Sequence, residues 1–166
     1  MKRFLLATLL IFMMSATTAL AASWQQIYTD NDDNLVFFDT DSVVATWQGT
    51  AQGKGDVMFS AVFRMNYSDK GRAALIDWYR NHSIVPAGIE NLSYDVSTIM
   101  FKREGDKRYY HIRERVSYTA SGSQISGMHY TDSTPDWIEI PVGSVIDVEY
   151  FEAALIVEGK RYDANY

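Results

Sequence analysis

Hydrophobic and polar positions alternate most cleanly at residues 57–66, where Val57, Phe59, Ala61, Phe63 and Met65 share one side. Met58, Ser60, Val62, Arg64 and Asn66 take the other, which predicts a strand with one buried face. Upstream, Trp24 to Tyr28 and Asn34 to Asp39 are short apolar-rich runs. They are joined by Thr29-Asp30-Asn31-Asp32-Asp33, whose Asx side chains favour a turn, so the two runs read as a hairpin. After Tyr67 the period changes. Ser68 or Asp69 can cap a helix, and Arg72, Leu75, Ile76, Tyr79 and His82 recur at helical spacing up to a stop near Pro86. From Asn91 the period returns to two. Leu92, Tyr94, Val96, Thr98 and Met100 then form the more apolar side, opposite Ser93, Asp95, Ser97, Ile99 and Phe101.

Glu104-Gly105-Asp106 turns the chain back. On the returning strand Tyr110, Ile112, Val116 and Tyr118 make one side, interrupted by Glu114, while Lys107, Tyr109, His111, Arg113, Arg115 and Ser117 make the other. A further strand covers about Gln124 to Tyr130, and Trp137 to Ile140 is a short extended piece. Ser144 and Asp147 then have capping-box spacing ahead of a second helix from Val145 to about Val157. Hairpin-linked strands with few long crossovers imply an α+β fold: one antiparallel sheet of about six strands, with two helices packed on one face. The expected core is Phe59, Phe63, Leu75, Ile76, Tyr79, Tyr94, Val96, Ile112 and Val116.

The N-terminus changes the arithmetic. Lys2 and Arg3 precede an apolar run from Phe4 to Met14, and Ala19-Leu20-Ala21 has the form a signal peptidase reads, so residues 1–21 are expected to be a signal peptide and 22–166 the domain. The run is shorter than the roughly 20 residues of a membrane span. No Cys follows it to carry a lipid. The protein is therefore expected to be exported, to the periplasm, the cell surface or the medium. The mature domain holds 13 basic against 21 acidic side chains, a net charge of −8, which disfavours nucleic acid as a partner. With no cysteine in the chain, disulfides, thiolate metal sites and a Cys nucleophile are excluded together.

Candidate chemistry is sparse. The histidines are His82, His111 and His129, and the nearest pairing with a carboxylate, His111 and Glu114, falls on opposite faces of a regular strand, so no metal is expected. Asp30, Asp32 and Asn34 have the spacing that opens a calcium loop, but Leu35 stands where the loop needs Gly. No nucleophile elbow and no Gly-rich phosphate cradle is present, so the chain is not expected to be an enzyme and no cofactor is expected. One constellation stands out. In an acidic chain, Lys107, Tyr109, His111, Arg113 and Arg115 alternate onto one sheet face, with Phe101 on the neighbouring strand pointing the same way. Basic and aromatic side chains together suit a protein-binding surface. A solvated sheet face explains the same residues.

Trp24, then Asp39-Thr40-Asp41-Ser42-Val43, Tyr94-Asp95, Tyr118 with Gly122, and Trp137-Ile138-Glu139-Ile140-Pro141-Val142-Gly143-Ser144 occur in an order that resembles the surface-adhesin protein E family of small exported bacterial proteins. The resemblance implies an antiparallel sheet with helices against it, and binding of host extracellular or serum proteins. It also implies a Cys pair, and the corresponding positions here are Val96 and Ala153 or Ala154, which should then lie close together. The first functional expectation is thus a non-enzymatic exported binding module that engages an extracellular or envelope protein, or a second copy of itself. The alternatives are a periplasmic ligand-binding or enzymatic domain on the same fold, or a small outer-membrane barrel.

Overall fold

In the computed structural model, which describes residues 22–48, 56–129 and 135–163, the alternating stretch around Phe59 is the third of seven strands. The expected leader, residues 1–21, lies outside the described residues, as do the Gly-rich stretch 49–55 and Tyr130. The strands are β1 (Trp24–Thr29), β2 (Leu35–Gln48), β3 (Asp56–Asn66), β4 (Leu92–Glu104), β5 (Lys107–Thr119), β6 (Gln124–His129) and β7 (Ile138–Glu139). β1 to β6 pair in chain order, every pair antiparallel. β7 pairs with β5 at Tyr109 and Tyr110, on the edge whose other half β6 occupies. The helices are α1 (Asp69–Asn81) and α2 (Val145–Asp163), and the fold is the α+β sheet with two helices packed on it that the periodicity implies.

The core lies between α2 and the sheet. Phe38, Phe59, Ala61, Phe63, Ile99 and Phe101 meet Tyr150, Ala153 and Val157 of the helix. The Phe101 ring sits 5.3 Å from Phe59, 6.1 Å from Phe63 and 5.7 Å from Tyr150 between centroids. α2 starts where the Ser144 spacing puts it: Ser144 Oγ accepts from the Asp147 amide at 3.3 Å, and Asp147 Oδ2 accepts from the Gly143 amide at 2.9 Å. The buried Asp147 also pairs with Arg108, so this cap ties the helix start to β5.

Several expected core positions fall elsewhere. Leu75, Ile76 and Tyr79 of α1 are only half-buried, because no residue of that helix except Gly71 is fully enclosed. Tyr94, Val96 and Val116 are half-buried on the sheet face away from α2. There Tyr94 stacks on Tyr118 at 5.1 Å, and the Arg64 guanidinium covers the Tyr94 ring at 3.9 Å. Val96 therefore meets neither Ala153, which is fully buried on the other side among the core residues, nor Ala154, which packs against that same core.

α1 is anchored by the turn that imitates a calcium loop. Asp30 Oδ1 accepts from the amides of Asp32 and Asn34, and Asp30 Oδ2 accepts from the Asn34 side chain, each at 2.9 Å. Those carboxylate oxygens thus serve an Asx turn. Asn34 is itself buried. Its Oδ1 accepts from the Ser68 amide, and Ser68 Oγ caps the helix through the Gly71 amide. A Cβ on Gly71 would stand 1.9 Å from Asn34 Oδ1. Helix propensity alone favours Ala over Gly by about 1 kcal/mol. Displacing Asn34 costs more, since it strands a buried amide and its bonded partners. Gly71→Ala is accordingly expected to lower stability by about 1–3 kcal/mol in urea unfolding. An Ala variant more stable than wild type would show that Asn34 is not seated against the helix.

Candidate functional site

β4 runs in regular register with β3, so its odd-numbered residues line up with the core side of β3: Phe101 with Phe59, Ile99 with Ala61, Ser97 with Phe63, Asp95 with Met65. Toward Glu104 this face is apolar and covered by α2. Toward Leu92 it is polar, yet Asp95 and Ser97 are buried. β5 matches it by a slip. Ile112 pairs with Ile99, but Glu114 pairs with Thr98, leaving Arg113 as an extra residue in a β-bulge. Beyond a one-residue slip every side chain changes face. Arg108, Tyr110 and Ile112 are on the α2 side before the bulge, and Arg115 and Ser117 are on that side after it.

The bulge thereby delivers Arg115 into a cleft of about 320 Å³ between the sheet and the start of α2. Phe63, Met65, Ile99, Val145 and Ile146 give the cleft an apolar wall. Its polar side chains are Tyr67, Asp95, Ser97, Tyr110, Arg115, Ser144 and Glu149. Arg115 Nε donates to Ser97 Oγ at 3.2 Å, and the Tyr67 hydroxyl donates to Asp95 Oδ2 at 2.8 Å. The second Asp95 oxygen, Oδ1, and Oε2 of Glu149 are buried without a hydrogen-bonding partner. Such atoms are uncommon in native folds and each costs on the order of 1–3 kcal/mol.

Electrostatics single out the same groups. Burial pushes the Glu149 carboxyl up to about 8, against a smaller downward pull from Arg115, so Glu149 is largely neutral at pH 7. Burial is also the first cause that raises the Tyr67 hydroxyl, followed by the charge of Asp95 and their hydrogen bond, while Arg115 acts in the opposite sense. Perturbed groups converging on one cleft mark candidate binding or catalytic sites.

The row expected to form a basic–aromatic binding face is divided by these contacts. Phe101 is fully buried in the core, and Arg115 is in the cleft, both on the side opposite Lys107, Tyr109 and His111. The alternation assigned Phe101 to an exposed face because Tyr94 and Val96 supply apolar residues on the true outer face, where the inner face is polar. Arg113 is exposed at the bulge. On the outer face, Lys107 pairs with Glu139 at 3.2 Å, a bond that raises the Lys107 ammonium. Lys102 Nζ, paired with Glu104, lies 5.1 Å from the Tyr109 ring and 4.9 Å from that of Trp137, and the His111 ring is 6.2 Å from Trp137. Much of the positive charge on this face is thus already balanced.

The slip also changes the His111 and Glu114 geometry, placing both on the outer face, where Glu114 lies 3.6 Å from His129 Nδ1. Among the described residues no group of three or more His, Asp or Glu is arranged to hold a metal ion. His82 stacks on Trp78 at the end of α1, its Nδ1 2.8 Å from the Trp78 carbonyl. Sequence reasoning passed over Tyr67, Asp95, Ser97 and Glu149. The available signal was the pair of polar residues, Asp95 and Ser97, in register with Phe63 and Met65 on an otherwise apolar face. No family model matches this chain, and neither does any curated protein or solved structure.

Proposed function

We propose that this domain is a non-enzymatic binding module that holds a small ligand in the cleft between β3–β5 and the first turns of α2. The observation that carries the reading is that Tyr67, Asp95, Ser97, Arg115 and Glu149 line one cleft with an apolar wall, where buried Asp95 and Glu149 each keep one oxygen without a hydrogen-bonding partner. A fold retains buried polar groups at a cost, and their gathering at one cleft marks it as a candidate binding site. The apolar wall supplies contact area and the few polar groups supply orientation, the usual composition of a small-molecule site. A carboxyl raised by burial also suits general acid chemistry, so the ligand's fate separates binding from catalysis. In our reading it is released unchanged.

Export is part of the proposal and rests on the N-terminal pattern of Lys2, Arg3, the apolar run and Ala19-Leu20-Ala21. The antiparallel sheet with its helices accords with the fold implied by the resemblance to surface-adhesin protein E, whereas the separation of Val96 from Ala153 departs from it. A protein partner is a second reading. It is favoured by the Tyr109, His111 and Trp137 rings gathered around Lys102 on the outer face, at the edge where β7 pairs with β5.

Amide and methyl chemical shifts, followed while a mixed library of small polar and aromatic compounds is added, test the cleft. The reading expects shifts clustered at Tyr67, Ser97, Ile99 and Ile146, abolished when Ser97→Phe fills the cavity, with the compound recovered intact. Shifts confined to Tyr109, Trp137 and Ile138 would favour the protein-surface reading instead.

A further inference from the structure

We propose that the outer face of the sheet is the interface of a symmetric dimer, in which a second copy of this chain packs sheet against sheet along β4. The inference stands apart from the ligand reading, because the cleft is on the opposite side, between the sheet and α2. An antiparallel sheet can leave one face to water, and the side chains of such a face are mainly polar. Here they are not. Register places Met58, Val62, Val96, Met100 and Val116 on the outer face of β3, β4 and β5, with the stacked Tyr94 and Tyr118 rings at one end. All of them are half-buried, while α2 and the core it covers are on the other side. Across the five strands from β2 to β6, and along about 27 Å of β4, the face offers a footprint of about 650 Å² at the usual spacing of about 4.8 Å between strands. A stable interface of standard size takes about 800 Å² from each partner, side-chain relief included, so this face has the extent a dimer needs.

Charge selects a second copy as the occupant and sets its orientation. Lys102 is paired with Glu104 and Lys107 with Glu139 toward one end of the face. Nearer its centre are Arg64 on β3 and Glu114 on β5, one strand to either side of β4. Arg64 donates its Nε to Asn66 Oδ1 at 2.7 Å and covers the Tyr94 ring, yet it forms no ion pair among the described residues. The ion-pair partner of Glu114 is His129, at 3.6 Å, which is charged only when protonated. A symmetry axis parallel to β4, midway between two stacked sheets, lays β3 of each copy over β5 of the other. Arg64 is level with Val96 and Glu114 with Thr98, so each Arg64 arrives two residues along the strand from the other copy's Glu114, within reach of its long side chain. Symmetry makes the contact twice. An axis running across the strands would instead lay Arg64 over β3 of the other copy, away from Glu114. At a sheet separation of about 10 Å the valines and methionines of the two copies interdigitate and leave water.

Sedimentation equilibrium of the purified chain, wild type and charge-reversed, tests the interface. The wild type is expected to be dimeric at about 100 μM, since interfaces of this size bind in the micromolar range or tighter. Arg64→Glu and Glu114→Arg should each weaken the dimer about tenfold or more, because like charges then face one another twice, and the double variant should return to within about threefold of wild type. Thr98, on the outer face of β4, is next to the axis and so next to its own counterpart. The chain has no cysteine, so Thr98→Cys should be joined to its counterpart by a bis-maleimide that spans the about 10 Å between stacked sheets, whereas Asn31→Cys on the exposed β1–β2 turn should stay unlinked. The Thr98 variant alters no charge, so it carries the test even if a reversal prevents folding. A monomer at about 100 μM would overturn the proposal. So would a dimer that neither reversal weakens and that Thr98→Cys does not link, whatever surface then holds it together.

Discussion

Replacing Phe101 by alanine is expected to destabilise the domain by about 3–5 kcal/mol, the range for truncating a fully buried aromatic ring. The ring has no exposed area and touches Phe59, Phe63 and Tyr150, so its removal opens a cavity where β3 and β4 meet α2. The rings around it belong to β3 and to a long helix, neither of which can close the gap without losing other contacts. Denaturant unfolding should show the midpoint falling at nearly unchanged slope. A loss below about 0.5 kcal/mol is what a solvent-exposed side chain would give. That result would mean β4 is turned over, with Tyr94 and Val96 inside.

A second large effect should appear in the pH dependence of stability. Burial lifts the folded-state value of Glu149 from the ordinary 4.5 to about 8. Because the folded value lies above the unfolded one, the stabilisation linked to the protonated carboxyl is fully present below about pH 4.5. It is lost progressively as pH rises to about 8. At 1.36 kcal/mol per pH unit, the full loss is on the order of 5 kcal/mol. Glu149→Gln keeps the shape and removes the titration. The variant should match wild type near pH 4 and exceed it by several kcal/mol at pH 8 to 9. Parallel stability profiles for the two proteins across that window would contradict burial of the carboxyl.

Much of the architecture was legible because local signals agreed with the global fold. The Phe59–Phe63 alternation, the Ser68 cap, the Ser144 and Asp147 spacing and the Gly105 turn each led to the element observed. The failures were concentrated in β4 and β5, at the end of the sheet that lines the cleft. There the inner face carries Asp95, Ser97 and Arg115, so the more apolar set, Tyr94, Val96, Val116 and Tyr118, is on the outer face. A reading that assigns the apolar side to the core must invert this end of the sheet. The bulge at Arg113 added a second obstacle. Val116 and Tyr118 continue the even-numbered alternation of Tyr110 and Ile112 across it, so nothing in the pattern announces that the even positions have moved from one face to the other. Glu114, which interrupts that apolar row, was the one visible irregularity.

The same inversion carries a functional meaning. Polar residues occupy core-facing positions at one end of β4 and β5 only, and α2 contributes Glu149 to that same place. Ordinary core packing would fill these positions with aliphatic side chains. The bulge thus brings Arg115 to the cleft that buried Asp95 and Glu149 also line, and burial there pushes the Glu149 carboxyl up. An arginine delivered to the outer face by an unbroken strand would have left Glu149 without its cation neighbour.

The central claim is that the slip at Arg113 sets Arg115 beside a buried Glu149, and a carboxyl-detected carbon NMR titration of Glu149 tests it most directly. The account predicts a midpoint near 8 in the wild-type chain and a still higher one in Arg115→Met, because Arg115 holds the value down against burial. A midpoint near 4.5 in both proteins would contradict it, since an exposed carboxyl with no cation beside it behaves that way.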